Sequence, residues 1–230
     1  MTLATLFGIV STIAFSVPIF IIIYFRLFIN VSFFALMIYF FLGMSYNLMA
    51  EGVLHVSAGL KANLGVLNNY LDVPLMLTVM LMFCNSKPKK KTVLVCLILF
   101  VMYEIAIALK FQLQPRSVVY LMGPGIILII LYSLAFFKGS IRSTIVHNKG
   151  LGKTLMITSI LFAYGCYILV YLFFYIQKTP NRSDVFVIYY IASIVFAILM
   201  SAGLISIHKK FKAINEVQTA RRELALLLHN

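Results

Sequence analysis

The chain has 230 residues, 63% of them hydrophobic and only 11% charged, with a formal charge of +13 and a mean hydropathy of +1.03. A soluble domain runs near half apolar and a quarter charged, so that class is excluded. At about 20 residues per bilayer crossing, the length divides instead into spanning helices, and the chain reads as an all-α, multi-pass membrane protein.

Seven apolar stretches follow one another, at roughly 3–25, 31–50, 64–84, 92–111, 117–137, 154–176 and 185–207. Most lack the alternation of a transmembrane barrel strand. Residues 1–207 therefore form a predicted seven-helix transmembrane domain, and 208–230 a basic helical tail. The first stretch is too long for the core of a cleavable leader and has no basic flank, so it reads as a true span. No internal repeat stands out, which disfavours an inverted-repeat transporter.

The basic residues orient this bundle. With the N-terminus outside, 14 of the 19 lysines and arginines lie on the cytoplasmic side. They are Arg26, the lysines of "KPKKK", four between the fifth and sixth spans, and five in the tail. The positive-inside rule then predicts N-out and C-in, in a plasma or bacterial inner membrane. The positive balance is thus an orientation signal and not a nucleic-acid footprint. Cys84, Cys96 and Cys166 have no disulfide or zinc spacing and read as small buried apolar residues. "NRS" at 181–183 is a glycosylation sequon on the outer side.

Acidic residues number only 6, and three of them, Glu51, Asp72 and Glu104, fall within or beside the second, third and fourth spans. Asp72, in "NNYLDVPLMLT" (68–78), lies about two turns into the third span, roughly 10 Å along the helix axis. Ionisable groups at such depth face a bundle interior or a cavity and mark function. Asn69 shares its face. In the second span Gly43, Asn47 and Glu51 form a stripe at four-residue spacing, and Glu104 lies slightly outward of the middle of the fourth. Asn47 and Asn69 serve either as helix–helix ties or as ligand contacts. Glu51 and His55, four residues apart, make only two candidate metal ligands, too few to predict a site.

The later spans supply walls. Tyr164, Tyr167, Tyr171 and Tyr175 recur at helical spacing in the sixth, the last two suiting an interfacial belt. "YLMGPG" (120–125) predicts a kink or opening in the fifth. Tyr189, Ser193, Phe196, Met200 and Gly203 share a face of the seventh. Together they predict an outward-leaning, mostly apolar pocket for a small ligand. In the tail, Phe211, Ile214 and Val217 share one face, as either a membrane-flanking cap or an output helix for a cytoplasmic partner.

At this point the chain resembles a family, the microbial (type 1) rhodopsins. "SFFALMIYFFLGMSYNLMAEG" (32–52) is similar to their second helix, "NNYLDVPLML" (68–77) to the third, "YLMGPGIILIILYSLAFF" (120–137) to the fifth, and "GLISIHKKF" (203–211) to the end of the seventh. The resemblance implies that Tyr70 and Asp72 match the family's tyrosine and primary counterion, with Asn69 at the basic position. It places Gly123, Tyr164 and Tyr167 near the retinal-lining walls. Anchored on Gly203, the Schiff-base lysine falls on Leu199 and the second counterion on Val195. Both are replaced, the stretch 185–207 has no lysine, and the chain has no tryptophan. Lys110, at the outer end of the fourth span, reads as a snorkelling residue and not as a relocated linkage site.

The expectation is therefore a rhodopsin-like scaffold with no covalent cofactor, sensing or binding a small, largely apolar ligand. Retinal or a carotenoid held non-covalently is one candidate. The predicted contacts are Asn47, Asn69, Tyr70, Asp72, Gly123, Tyr164, Tyr167, Ser193, Phe196 and Met200. Enzyme character stays open, leaning against it. The alternatives are an intramembrane enzyme acting on a lipid or isoprenoid, and a proton or ion carrier, both through Asp72 and Glu104. Other expected partners are the bilayer itself, a cytoplasmic protein at the tail and further copies of the chain.

Overall fold

The structure, a computed structural model, describes residues 3–84, 86–147, 150–177 and 182–228. Seven helices follow in order: α1 (Leu3–Tyr24), α2 (Val31–Ala50), α3 (Ala58–Met80), α4 (Lys87–Phe111), α5 (Pro115–His147), α6 (Leu151–Tyr171) and α7 (Arg182–Leu228). All seven are long and apolar enough to cross a membrane, so this is a multi-pass membrane protein. Short connections make successive helices alternate in direction. The N-terminus and the α2–α3, α4–α5 and α6–α7 turns therefore share one end of the bundle, called here the amino end. The other turns and the tail share the carboxyl end.

Several helices outrun their apolar cores, for local reasons. Ser57 caps α3, its hydroxyl accepting from the Leu60 amide at 3.3 Å, so α3 starts six residues before the expected 64. The lysines of "KPKKK" lie in the first turns of α4, where Pro88 tolerates the missing amide hydrogen bond. The helix α5 continues ten residues beyond the expected 137. Gly150, at φ 91°, opens α6 from a backbone conformation that disfavours side chains. A π-helical turn, Leu172–Ile176, continues α6, so the expected tyrosine stripe changes register after Tyr171. The helix α7 runs unbroken across residue 207 into the tail. Of the tail's predicted apolar face, Phe211 and Val217 are exposed, while the Ile214 side chain and the start of the 181–183 sequon lie outside the described residues.

Proline inside a helix removes one amide donor and strands the carbonyl four residues earlier. In α5 that proline is Pro124, and the stranded carbonyl belongs to Tyr120. The Tyr103 hydroxyl of α4 donates to that carbonyl at 2.9 Å. A side chain thus replaces the bond that water cannot supply inside a membrane. A second tie joins α2 to α3, where the Ser32 hydroxyl donates to the Thr78 carbonyl at 2.9 Å.

Packing is uneven around the bundle. Only 17% of the α4 span is buried, against 33–44% for the other six, so α4 is a peripheral helix. The closest approach joins α6 to α7. A methyl group built on Gly203 would stand 2.9 Å from the Gly152 carbonyl oxygen, and one on Gly152 would stand 2.8 Å from that of Gly203. Backbone meets backbone there, as small residues allow between membrane helices. Gly203→Ala is expected to lower thermal stability in detergent by about 1–3 kcal/mol through overpacking. Gly139→Ala, whose methyl would enter open space, is the control expected to leave the melting temperature unchanged or raised.

Candidate functional site

Asp72 faces into the bundle from α3, half-buried, and its Oδ1 accepts a hydrogen bond from the Tyr164 hydroxyl of α6 at 2.9 Å. Beside this pair is a chamber of about 70 Å³, lined by Phe15, Tyr39, Gly43, Asn68, Asn69, Asp72, Met122, Tyr167, Val170 and Tyr189. Six of the seven helices contribute, and only α4 is missing. The bundle therefore closes around the chamber, which lies in its amino half.

The walls are aromatic and hydroxylated. Tyr164 and Tyr167 meet edge-on with ring centroids 5.5 Å apart, and Tyr167 stacks on Tyr189 at 5.5 Å. The Tyr167 hydroxyl shares a hydrogen bond of 3.1 Å with the fully buried Ser193 hydroxyl. Phe196 backs this wall, stacked on Phe40 at 5.1 Å and edge-on to Tyr39 at 5.8 Å. A carboxylate ringed by π-faces and two amides suits a small group that donates hydrogen bonds or carries positive charge. As it stands, the chamber has room for a few heavy atoms or ordered waters. A polyene the length of retinal would require the tyrosine walls to part.

The predicted contacts divide sharply. Asn69, Asp72 and Tyr167 line the chamber, and Tyr164 and Ser193 hold those side chains in place. Asn47 is directed elsewhere: its amide donates to the Ser11 hydroxyl of α1 at 3.2 Å, so it ties α2 to α1. Tyr70 belongs to a separate apolar cluster with Val66, Val118 and Leu121, because one residue before Asp72 plus another turns it about 200° around the helix. Gly123 is covered by Tyr171, whose hydroxyl donates to the Val119 carbonyl at 3.0 Å. Phe196 and Met200 are fully buried core, outside the lining.

The other acidic groups are separate from the chamber. Glu104 is 7% exposed on α4, and its Oε1 has no hydrogen-bond partner among the described residues. It is close enough for its charge to act on that of Asp72. Glu51 follows the last turn of α2 and accepts a hydrogen bond from Tyr190 of α7. Since α2 has already ended, Glu51 and His55 do not share a helix face. No group of three or more His, Cys, Asp or Glu side chains that could hold a metal occurs among the described residues.

Sequence reasoning left out Phe15, Tyr39, Asn68, Met122 and Val170. Tyr39 lies four residues before Gly43, and Asn68 four before Asp72, so both carried a spacing signal. Phe15 had none, since its place depends on how α1 crosses α2. No family model, curated protein or solved structure matches the chain.

The Tyr164–Asp72 bond is testable by a double-mutant cycle. Tyr164→Phe and Asp72→Ala are expected to couple by about 1–2 kcal/mol in unfolding free energy. Additive losses would show that the hydroxyl and carboxyl do not interact.

Proposed function

We propose that this chain is a receptor-like, seven-helix membrane protein that binds a small molecule non-covalently in the Asp72 chamber. In this reading the bundle is built on the plan of the microbial rhodopsins, N-terminus outside and C-terminus in the cytoplasm, without their retinal linkage. The observation that carries it is the half-buried carboxylate of Asp72, held by Tyr164 at 2.9 Å beside a chamber to which six helices contribute. The ligand's polar group sits at Asp72. Its apolar part packs against Tyr39, Tyr167 and Tyr189.

Sensing is favoured over storage by the course of α7. Tyr189 lines the chamber, and the same helix continues to Leu228, roughly 60 Å further at about 1.5 Å per residue. A movement at the chamber wall is thereby carried to the tail and to any partner there. Enzyme and carrier readings both need Asp72 and Glu104 to act together. The buried Glu104, whose Oε1 has no hydrogen-bond partner among the described residues, favours the carrier of those two, yet its helix contributes nothing to the chamber lining.

Mass spectrometry of small molecules released from the purified protein tests the reading. The wild type is expected to carry a compound that Asp72→Asn retains at least about tenfold less, as loss of a charged hydrogen bond implies. An identical set of molecules on both proteins would sink the chamber as the site. Added all-trans retinal is expected to give no hydroxylamine-sensitive visible pigment, since residues 185–207 offer no amine for a Schiff base. A borohydride-reducible adduct on the unmodified chain would refute that.

A further inference from the structure

The carboxyl end of the bundle contains two larger cavities that the ligand chamber does not use. One, of about 630 Å³, lies between the start of α2, the end of α3, the start of α6 and residues 206–211 of α7. The other, of about 320 Å³, lies between α4, the end of α5 and the start of α6. Gly150, Lys153 and Lys210 line both, so the two spaces adjoin.

Charge is concentrated here on one sign. Lys89, Lys153 and Lys210 face the paired cavities, and neither lining contains a carboxylate. Lys153 and Lys210 are close enough for their like charges to act on each other. Lys89 and Lys153 both act on the thiol of Cys84. Like charges gathered at the edge of a low-dielectric bundle repel, and an anion between them reverses the sign of that interaction. Ser140 and Ser143 add hydroxyls to the smaller cavity. The first turn of α6 adds the positive end of a 21-residue helix.

The remaining lining is apolar. Phe33, Met82, Leu151 and Ile207 border the larger cavity, with Phe211 at its edge, and Phe83, Phe136 and Ile157 border the smaller. A soluble anion has no use for such walls, whereas a molecule with a charged head and hydrocarbon chains matches both parts. Lys153 is the third residue of α6, at the carboxyl-end edge of its membrane-crossing segment. We infer that this double cavity binds the phosphate head of an anionic phospholipid, with Lys89, Lys153 and Lys210 as its ligands and the phenylalanine walls against its chains. Basic pockets between membrane helices take lipid headgroups on the same principle.

Native mass spectrometry of the full-length protein tests the inference, after exchange into micelles holding equal amounts of phosphatidylglycerol and phosphatidylcholine. Phosphatidylglycerol is expected to be retained roughly tenfold over phosphatidylcholine, the scale set by one or two lysine contacts. Lys210→Glu, at an exposed position that leaves the core intact, is expected to abolish that preference. The pair Lys153→Arg and Lys210→Arg is expected to keep it, and Lys110→Gln, at the opposite end, to leave it unchanged. Equal retention of the two lipids by the wild type would overturn the proposal, as would a preference that survives Lys210→Glu. Displacement of the lipid by millimolar inorganic phosphate would identify a site for soluble phosphate and overturn the lipid assignment.

Discussion

Hydrocarbon offers no hydrogen bonds, and that constraint shapes nearly every polar contact in this bundle. A donor or acceptor inside the membrane must find its partner within the protein or bear a cost of several kcal/mol. Most have found one locally. Ser11, Thr12, Thr78 and Ser159 return their hydroxyls to carbonyls three or four residues earlier. Others tie one helix to the next, as Asn47 does with Ser11 and Tyr103 with the carbonyl stranded by Pro124. Against this background Asp72 stands out. Tyr164 holds one of its oxygens, Tyr39 also interacts with the carboxyl, and the group still lines a chamber. A group whose only purpose was to join helices would have no reason to keep a cavity beside it.

The same constraint explains why charge is sorted along the bundle. Glu51, Asp72 and Glu104 all occupy the amino half, the first two held by tyrosines from α7 and α6. The lysines of the two large cavities occupy the carboxyl end. Separated in this way, these three acids cannot pair directly with the cavity lysines, although Lys61, Lys110 and Arg116 also lie at the amino end. An ion pair of Lys212 with Glu216, at 4.0 Å, is exposed in the tail and contributes little. The chamber thus presents a carboxyl group and the far cavities present lysines, and the ligands proposed for the two ends are of opposite kinds.

The fold was readable because hydropathy and length dominate it. The second span was expected at 31–50, the bounds that α2 has. The errors lie at helix ends, where capping by Ser57 and Gly150 and the helical lysines of α4 outweigh composition. The site was only half readable. Asp72, Asn69 and Tyr167, expected at a pocket, line the chamber, and Tyr164 and Ser193 are bonded to two of them, because rare polar residues at one depth have few places to go. Gly123, Phe196 and Met200 were misplaced for a different reason. Periodicity reports which residues share a face, and a helix in a bundle has several neighbours. Whether that face meets a cavity or another helix depends on crossing angles that a single sequence does not encode.

The arrangement of α6 and α7 connects the two ends. These helices touch backbone to backbone at Gly152 and Gly203, close to the lysine cavities, and they carry Tyr164, Tyr167 and Ser193 toward the chamber. Backbones in such contact cannot slide past each other without forcing a carbonyl into a neighbouring α-carbon. They can still tilt about the contact point. In the proposed receptor reading, a ligand that parts Tyr167 from Tyr189 pries the two helices apart at the amino end. The fixed glycine contact turns that separation into an opposite swing of the segments beyond it. On α7 that segment holds Lys210, while Lys153 of α6 lies one residue to the chamber side of Gly152, almost at the contact point. In that reading the distance of Lys210 from Lys153 depends on what occupies the chamber, and the anion proposed between them favours one tilt over the other. In that reading, linkage makes the occupant of either end bias the other.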